Sequence, residues 1–223
     1  MKSSRLEWFH RHSFVWVDKD CDQLDKVVGE SSSDSLEIFG NWVAQGRPLI
    51  IRRPCLSQDE RFLCVGLALP PSPVKRRLAY RIPVSTISRI DEPPYWNLCN
   101  AKADFGTNNS IVAIQQTTDN LRLPLRAFGS YAWEHLTGLP YTTSSSDVDL
   151  LICIEDQQGW RHFNASMREI GRADRRIDLE IMMNRNASFN WREYEATGLR
   201  MLFKSNDAVW LGDKSQVEDF LHD

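Results

Sequence analysis

Asp147 and Asp149 flank a single valine, and the chain continues as Leu150-Leu151-Ile152-Cys153-Ile154. On an extended chain a spacing of two sends both carboxylates from the same face, while Val148, Leu150, Ile152 and Ile154 point the other way into a core. Two carboxylates held a few ångströms apart repel each other unless a cation sits between them, and their hard oxygen donors suit Mg²⁺ or Mn²⁺. Asp147 and Asp149 are therefore candidate catalytic residues and candidate metal ligands. A second acidic pair follows in Ile177-Asp178-Leu179-Glu180-Ile181, again with the acids on one face and the apolar residues on the other. If the two strands are neighbours, three or four carboxylates converge, an arrangement that suits two-metal displacement at phosphorus. Asp178 or Glu180 then serves as third ligand or as base for an attacking hydroxyl, and the spacing does not choose between them. Upstream, Phe128-Gly129-Ser130 forms a turn ahead of a predicted helix. Backbone N–H groups there approach a phosphate closely, and the helix dipole favours the anion. Gly129 and Ser130 are candidate phosphate-binding residues.

The elements around these residues read as α+β. The segment 33–45 is predicted as a helix capped by Ser33 or Asp34, with Leu36, Phe39 and Val43 on one face and Gly46 as its stop. Strands are predicted at 48–53, 62–70 and 76–83; in the last, Leu78, Tyr80 and Ile82 share a face opposite Arg77, Ala79 and Arg81. From residue 123 the pattern is a short strand ending in Gly129, a helix over 131–138 and a strand over 147–154. Next come a helix carrying Trp160, Phe163, Met167 and Ile170, stopped by Gly171, and a strand over 176–183. A hairpin follows around Ser205-Asn206-Asp207, then a capping-box match at Ser215 opening a last helix. Two domains are expected, 1–88 and 89–223; the stretch 87–118 is turn-rich and yields no clear element.

Composition bounds the function. The 223 residues carry a formal net charge of −3, which makes a nucleic-acid partner a poor expectation. Against that background Arg47, Arg52, Arg53, Lys75, Arg76, Arg77 and Arg81 crowd one stretch. Lys75, Arg76, Arg77 and Arg53 are candidate anion contacts, although on a strand only alternate residues can face one site. Lys204, at the end of a predicted strand, is a candidate phosphate contact. Five cysteines without a CxxC pair point away from a disulfide framework or zinc site and towards a reducing cytoplasm. No run approaches 18 apolar residues, so no membrane-spanning helix is expected. His135 and His162 lie on predicted helices with no partner at a telling spacing and read as structural.

The order apolar-Gly-Ser, helix, Asp-x-Asp between apolar residues, then a third acid on a later strand resembles the polymerase-β-like nucleotidyltransferase superfamily. The gap between Ser130 and Asp147 is longer than usual there, and the segment FGSYAWEHLTGLPYTTSSSDVDLL resembles the phosphoribosyl-dephospho-CoA transferase family of malonate decarboxylase, also called malonate decarboxylase holo-acyl-carrier-protein synthase. GRPLIIRR, GLALPP, KRRLAYRIP, RIDLEI and NWREY fit the same family in order. The resemblance implies a nucleotidyltransferase-like catalytic domain with a mixed sheet flanked by helices. It implies transfer of 2′-(5″-phosphoribosyl)-3′-dephospho-CoA from its triphosphate precursor to a serine of the apo acyl carrier protein subunit, with loss of pyrophosphate. The family's two catalytic aspartates fall on Asp147 and Asp149. Gly129 and Ser130 would bind the triphosphate, and the basic run 75–77 would neutralise it or face an acidic carrier protein. The alternatives are transfer of AMP to a small molecule or protein by the same acids, and an inert nucleotide-binding module on the same fold.

Overall fold

In the computed structural model of the chain, which describes residues 10–20, 27–29, 34–53, 61–71, 76–99, 109–170, 176–184 and 187–221, the apolar runs pair into two six-stranded sheets. The fold is α+β, in two compact units: Met1–Pro93 with Leu136–Tyr141, and Pro94–His135 with Thr142–Asp223. Ser33, Lys75 and Gly171 lie outside the described residues, and so do the roles expected of them.

The first unit contains β1 (Phe14–Val17), β2 (Val28–Gly29), α1 (Ser35–Ala44), β3 (Leu49–Ile51), β4 (Phe62–Ala68), β5 (Arg77–Pro83) and β6 (Ile87–Asp91). Its sheet runs β2-β5-β4-β3-β1-β6, with every pair antiparallel. In β5 Tyr80 and Ile82 are buried as expected, but Ala79 of the opposite face is buried too and Leu78 is only half-buried, so the alternation does not divide core from solvent. α1 turns a different face inward from the one expected. Ser35, Phe39, Trp42 and Val43 are buried, whereas Leu36 is 53% exposed. The i, i+4, i+7, i+8 stripe includes Trp42 and excludes Leu36, so the larger indole wins the core. Asp34 does not cap this helix with its side chain; its carboxylate takes Arg76 at 3.1 Å instead.

Tyr80 ties the sheet to α1. Its ring lies 4.9 Å from that of Phe39, and its hydroxyl donates to the Ser35 carbonyl at 2.7 Å. Burial first, then the charge of Asp34, pushes its pKa up to about 12. Tyr80→Phe removes the donor and leaves a shielded carbonyl, so stability is expected to fall by about 1–2 kcal/mol. A urea denaturation midpoint identical to that of the parent protein would refute this.

Residues 136–141, the start of the long gap before Asp147, cluster with this first unit. Tyr141 donates its hydroxyl to the Ala68 carbonyl at 2.6 Å, and burial holds its acidity well below that of a free tyrosine. The residues that make the gap long thus have a packing role.

The second unit contains α2 (Trp96–Cys99), α3 (Asn109–Asn120), β7 (Arg126–Ala127), α4 (Gly129–Thr137, whose last two residues cluster with the first unit) and β8 (Val148–Ile154). α5 (Gln157–Ile170), β9 (Ile177–Met183), β10 (Ala187–Asn190), α6 (Trp191–Glu195), β11 (Arg200–Lys204), β12 (Val209–Asp213) and α7 (Gln216–Asp219) complete it. The sheet order is β12-β11-β10-β9-β8-β7, mixed as expected: β8 and β9 are parallel and the other pairs antiparallel. Parallel neighbours need a crossover, and α5 supplies it. Val148, Leu150, Ile152 and Ile154 of β8 join Ile177, Leu179, Ile181 and Met183 of β9 in the core, closed by Trp160, Phe163 and Met167 of α5. Each of these aliphatic side chains contributes about 1.5–3 kcal/mol on burial. The capping box expected at Ser215 is not made: its hydroxyl donates to Asp213 at 2.7 Å, and the helix that follows is one turn long. Among the described residues no helix is long and apolar enough to cross a membrane.

Candidate active site

The face of the second sheet opposite the core carries the acids. Because β8 and β9 run parallel and in register, Asp149 stands directly beside Asp178, and Leu151 beside Glu180. β9 is an inner strand with β8 on one side and β10 on the other, so its acids do not sit on a sheet edge. The two aspartates are thus neighbours across a gap of roughly 5 Å, the spacing of adjacent strands. Asp147 sits one residue before β8 and is exposed. Its neighbour Val148 donates its N–H to the Arg176 carbonyl at 2.7 Å, so the ladder continues to the strand's first residue.

α4 begins at the opposite side of Asp149. The Asp149 carbonyl accepts from Phe128 N–H at 3.0 Å, which brings the Phe128-Gly129-Ser130 turn against β8. Gly129 has φ +62°, a conformation that side-chain-bearing residues rarely adopt. A Cβ there would overlap Asp149 Oδ2 and lie 2.6 Å from its Cγ. The missing side chain is therefore what lets the Asp149 carboxylate rest at the first turn of α4. Tyr131, in the same turn, is buried in the second unit's core, and its pKa is raised by burial and opposed by the nearby charge of Arg176.

Asp178 and Glu180 part company. Asp178 Oδ1 accepts from Asn190 Nδ2, and Asn190 Oδ1 accepts from Arg192 N–H at 2.8 Å, capping α6. The second bond fixes which way the amide faces, so its N–H₂ must point at Asp178. Asn190 is itself held by the aromatic residues on either side: Phe189 and Trp191 pack edge-on against Trp160 at 5.8 and 6.2 Å. Glu180, only 4% exposed, is consumed by other partners. Ser188 donates to it at 2.6 Å and Lys204 Nζ lies 3.5 Å away. A buried carboxylate and a partly exposed ammonium paired this way satisfy each other. Lys204, expected at a phosphate, and Glu180, expected as a ligand or base, are thus brought to one another.

The basic candidates of the first unit are dispersed. Arg76 pairs with Asp34 on the surface, Arg77 is exposed at the start of β5, and Arg53 follows β3, partly buried. One residue passed over in the sequence, Asn190, reaches the carboxylate site. It opens an Asn-x-x-Glu helix start, a legible signal.

Among the described residues no group of three or more His, Cys, Asp or Glu side chains is gathered so as to hold a metal by itself. A pair of aspartates two apart at the start of a strand fits an ion of another habit. Mg²⁺ keeps several waters and takes one or two carboxylates together with substrate phosphate oxygens.

A family model described as the phosphoribosyl-dephospho-CoA transferase MdcG C-terminal domain matches residues 97–215, and one described as the N-terminal domain of the same transferase matches residues 10–93. The chain is similar to the phosphoribosyl-dephospho-CoA transferase of Xanthomonas euvesicatoria pv. vesicatoria, 31% identical over 197 residues, covering 88% of this chain and 90% of the relative. It is likewise 31% identical over 212 residues to the enzyme of that name from Bradyrhizobium diazoefficiens, covering 92% and 91%. The one from Xanthomonas campestris pv. campestris is 28% identical over 222 residues, covering 90% and 92%. No solved structure matches the chain.

Proposed function

Since this chain belongs to the phosphoribosyl-dephospho-CoA transferase family, we propose that it transfers 2′-(5″-phosphoribosyl)-3′-dephospho-CoA from the 5″-triphosphate precursor to a serine of the apo acyl carrier protein subunit of malonate decarboxylase. A bond forms between the serine oxygen and the innermost phosphorus of the triphosphate, the bond from that phosphorus to the bridging oxygen breaks, and pyrophosphate leaves. The serine proton passes to a carboxylate. The observation that carries the reading is the placement of Asp149: in register with Asp178 on one side and against the Gly129 turn of α4 on the other.

Asp178 is the base in this account. Asn190 holds one of its oxygens, leaving the other to take the serine proton. Asp147 and Asp149 would hold Mg²⁺, which when bound neutralises the triphosphate and stabilises the charge that develops on its oxygens. The first N–H groups of α4, with Ser130, receive the triphosphate. Glu180 and Lys204 serve by fixing β9 against β10 and β11 rather than by touching substrate.

Pyrophosphate release tests the reading. Purified protein, Mg²⁺ and apo carrier protein are incubated with either triphosphoribosyl-dephospho-CoA or ATP, and pyrophosphate is counted. Release with the first donor only, lost when the carrier's serine is replaced by alanine, is expected. Release with ATP only would overturn the assignment in favour of AMP transfer.

Asn190→Ser keeps an oxygen that caps α6 but cannot span the distance to Asp178. It is expected to lower kcat by about 10- to 100-fold, as loss of an orienting partner does, with stability nearly unchanged. A kcat equal to that of the parent protein would remove Asp178 from the chemistry.

A further inference from the structure

The approach to β1 is a tight turn. Ser13 N–H donates to the His10 carbonyl at 3.0 Å, and His12 adopts φ +75°, a left-handed conformation that a residue with a side chain adopts only when its surroundings enforce it. The Ser13 carbonyl accepts Ile51 N–H at 2.8 Å, so this turn lies beside the end of β3, where Arg52 and Arg53 follow. Arg11 and Arg53 are thereby brought close enough for their charges to act on each other. Burial, and then the charge of Arg53, pushes the Arg11 pKa down to about 10. The Arg53 Nε is shut off from solvent and meets no hydrogen-bond partner among the described residues.

Each of these facts works against stability as it stands. Guanidinium groups repel at short range, and a shielded N–H without an acceptor loses its water and gains nothing. An anion between them reverses both terms, since the planar fork of arginine matches phosphate oxygens two at a time. A shielded arginine nitrogen that serves only the fold is normally given an acceptor by the fold itself, and Arg53 Nε meets none among the described residues.

We infer that Arg53 and Arg11 form an oxyanion site in the first unit, and that its occupant is a phosphate group of the dephospho-CoA-type substrate. The existence of the site rests on Arg53 and its surroundings alone; the identity of the occupant rests on the proposed function. The site gives the first unit a task in binding, separate from the carboxylates of the second.

The test uses the whole chain in EDTA, so that no divalent ion contributes to binding. Titration calorimetry with 3′-dephospho-CoA and with inorganic pyrophosphate is expected to show both bound. Arg53→Gln and Arg11→Gln are each expected to weaken both by tenfold or more, Arg53→Lys by less, and Arg161→Gln, a matched charge loss on the exposed side of α5, not at all. The Arg53 Nε–H signal in a ¹⁵N spectrum should move on addition of pyrophosphate, which keeps the test available if a variant does not fold. Equal affinity in Arg53→Gln and the parent protein, or an Nε–H signal that does not move, would overturn the site. Arg53-dependent binding of pyrophosphate with no binding of 3′-dephospho-CoA would overturn the substrate assignment. Arg53-dependent binding of 3′-dephospho-CoA in a protein that transfers nothing to the carrier would keep the site and remove the proposed function instead.

Discussion

Asp149→Asn is expected to stop transfer while leaving the protein folded. The substitution is isosteric, and the contact that docks the Phe128-Gly129-Ser130 turn on β8 uses the Asp149 main-chain carbonyl, which the change does not touch. What is lost is the negative charge beside Asp178. Removing one of two neighbouring carboxylates relieves like-charge repulsion, and losing an anion at the first turn of α4 opposes that gain, so the thermal midpoint should stay close to that of the parent. Catalysis loses an anionic donor to the site where phosphate charge must be balanced. A deficit of about 4 kcal/mol in transition-state stabilisation, about a thousandfold in kcat, is the expected scale. The paired readout matters, because a variant that loses activity through misfolding would move the midpoint down. An Asp149→Asn protein with more than a tenth of the parent kcat would contradict the assignment.

Gly129→Ala should be damaging for two separable reasons. The backbone at φ +62° penalises any Cβ by about 1 kcal/mol, and the added methyl would overlap the Asp149 carboxylate, which must swing away. Stability is expected to fall by about 1–3 kcal/mol. A reacting group displaced by an ångström costs on the order of 100-fold in rate, and kcat should fall accordingly. A double-mutant cycle separates the two. In an Asp149→Gly background the overlap is gone, so Gly129→Ala should there cost only the backbone term. Equal costs in both backgrounds, measured by denaturant unfolding, would mean that the glycine serves the turn and not the carboxylate.

Much of the second unit was legible because it is made of long, regular signals. The apolar alternation at 148–154 and 177–183 identified both strands and put the acids on the correct face, and the Trp160-Phe163-Met167 stripe identified the helix between them. The pairing of Glu180 with Lys204 was not legible. It depends on β10, a four-residue strand too short to show a period, which places Ser188 between β9 and β11. α3 was missed because it is mostly polar and buries only a narrow stripe containing Ile111, Ile114 and Thr118. The face of α1 was misjudged at Leu36 because two overlapping helical stripes fit the apolar residues, and only packing against Tyr80 chooses between them. The nearness of the Arg11 and Arg53 charges follows from the turn at His12, and a positive φ at a histidine leaves no mark in the sequence.

The proposed reaction joins a phosphoribosyl-dephospho-CoA group to a carrier-protein serine. The most direct measurement is the intact mass of the apo acyl carrier protein after incubation with the protein, Mg²⁺ and an equimolar mixture of triphosphoribosyl-dephospho-CoA and ATP, followed by peptide mapping of the modified residue. The account predicts a single adduct equal to phosphoribosyl-dephospho-CoA on one serine, absent with the Asp149→Asn protein. An adenylylated carrier, or a carrier whose mass is unchanged, would contradict it.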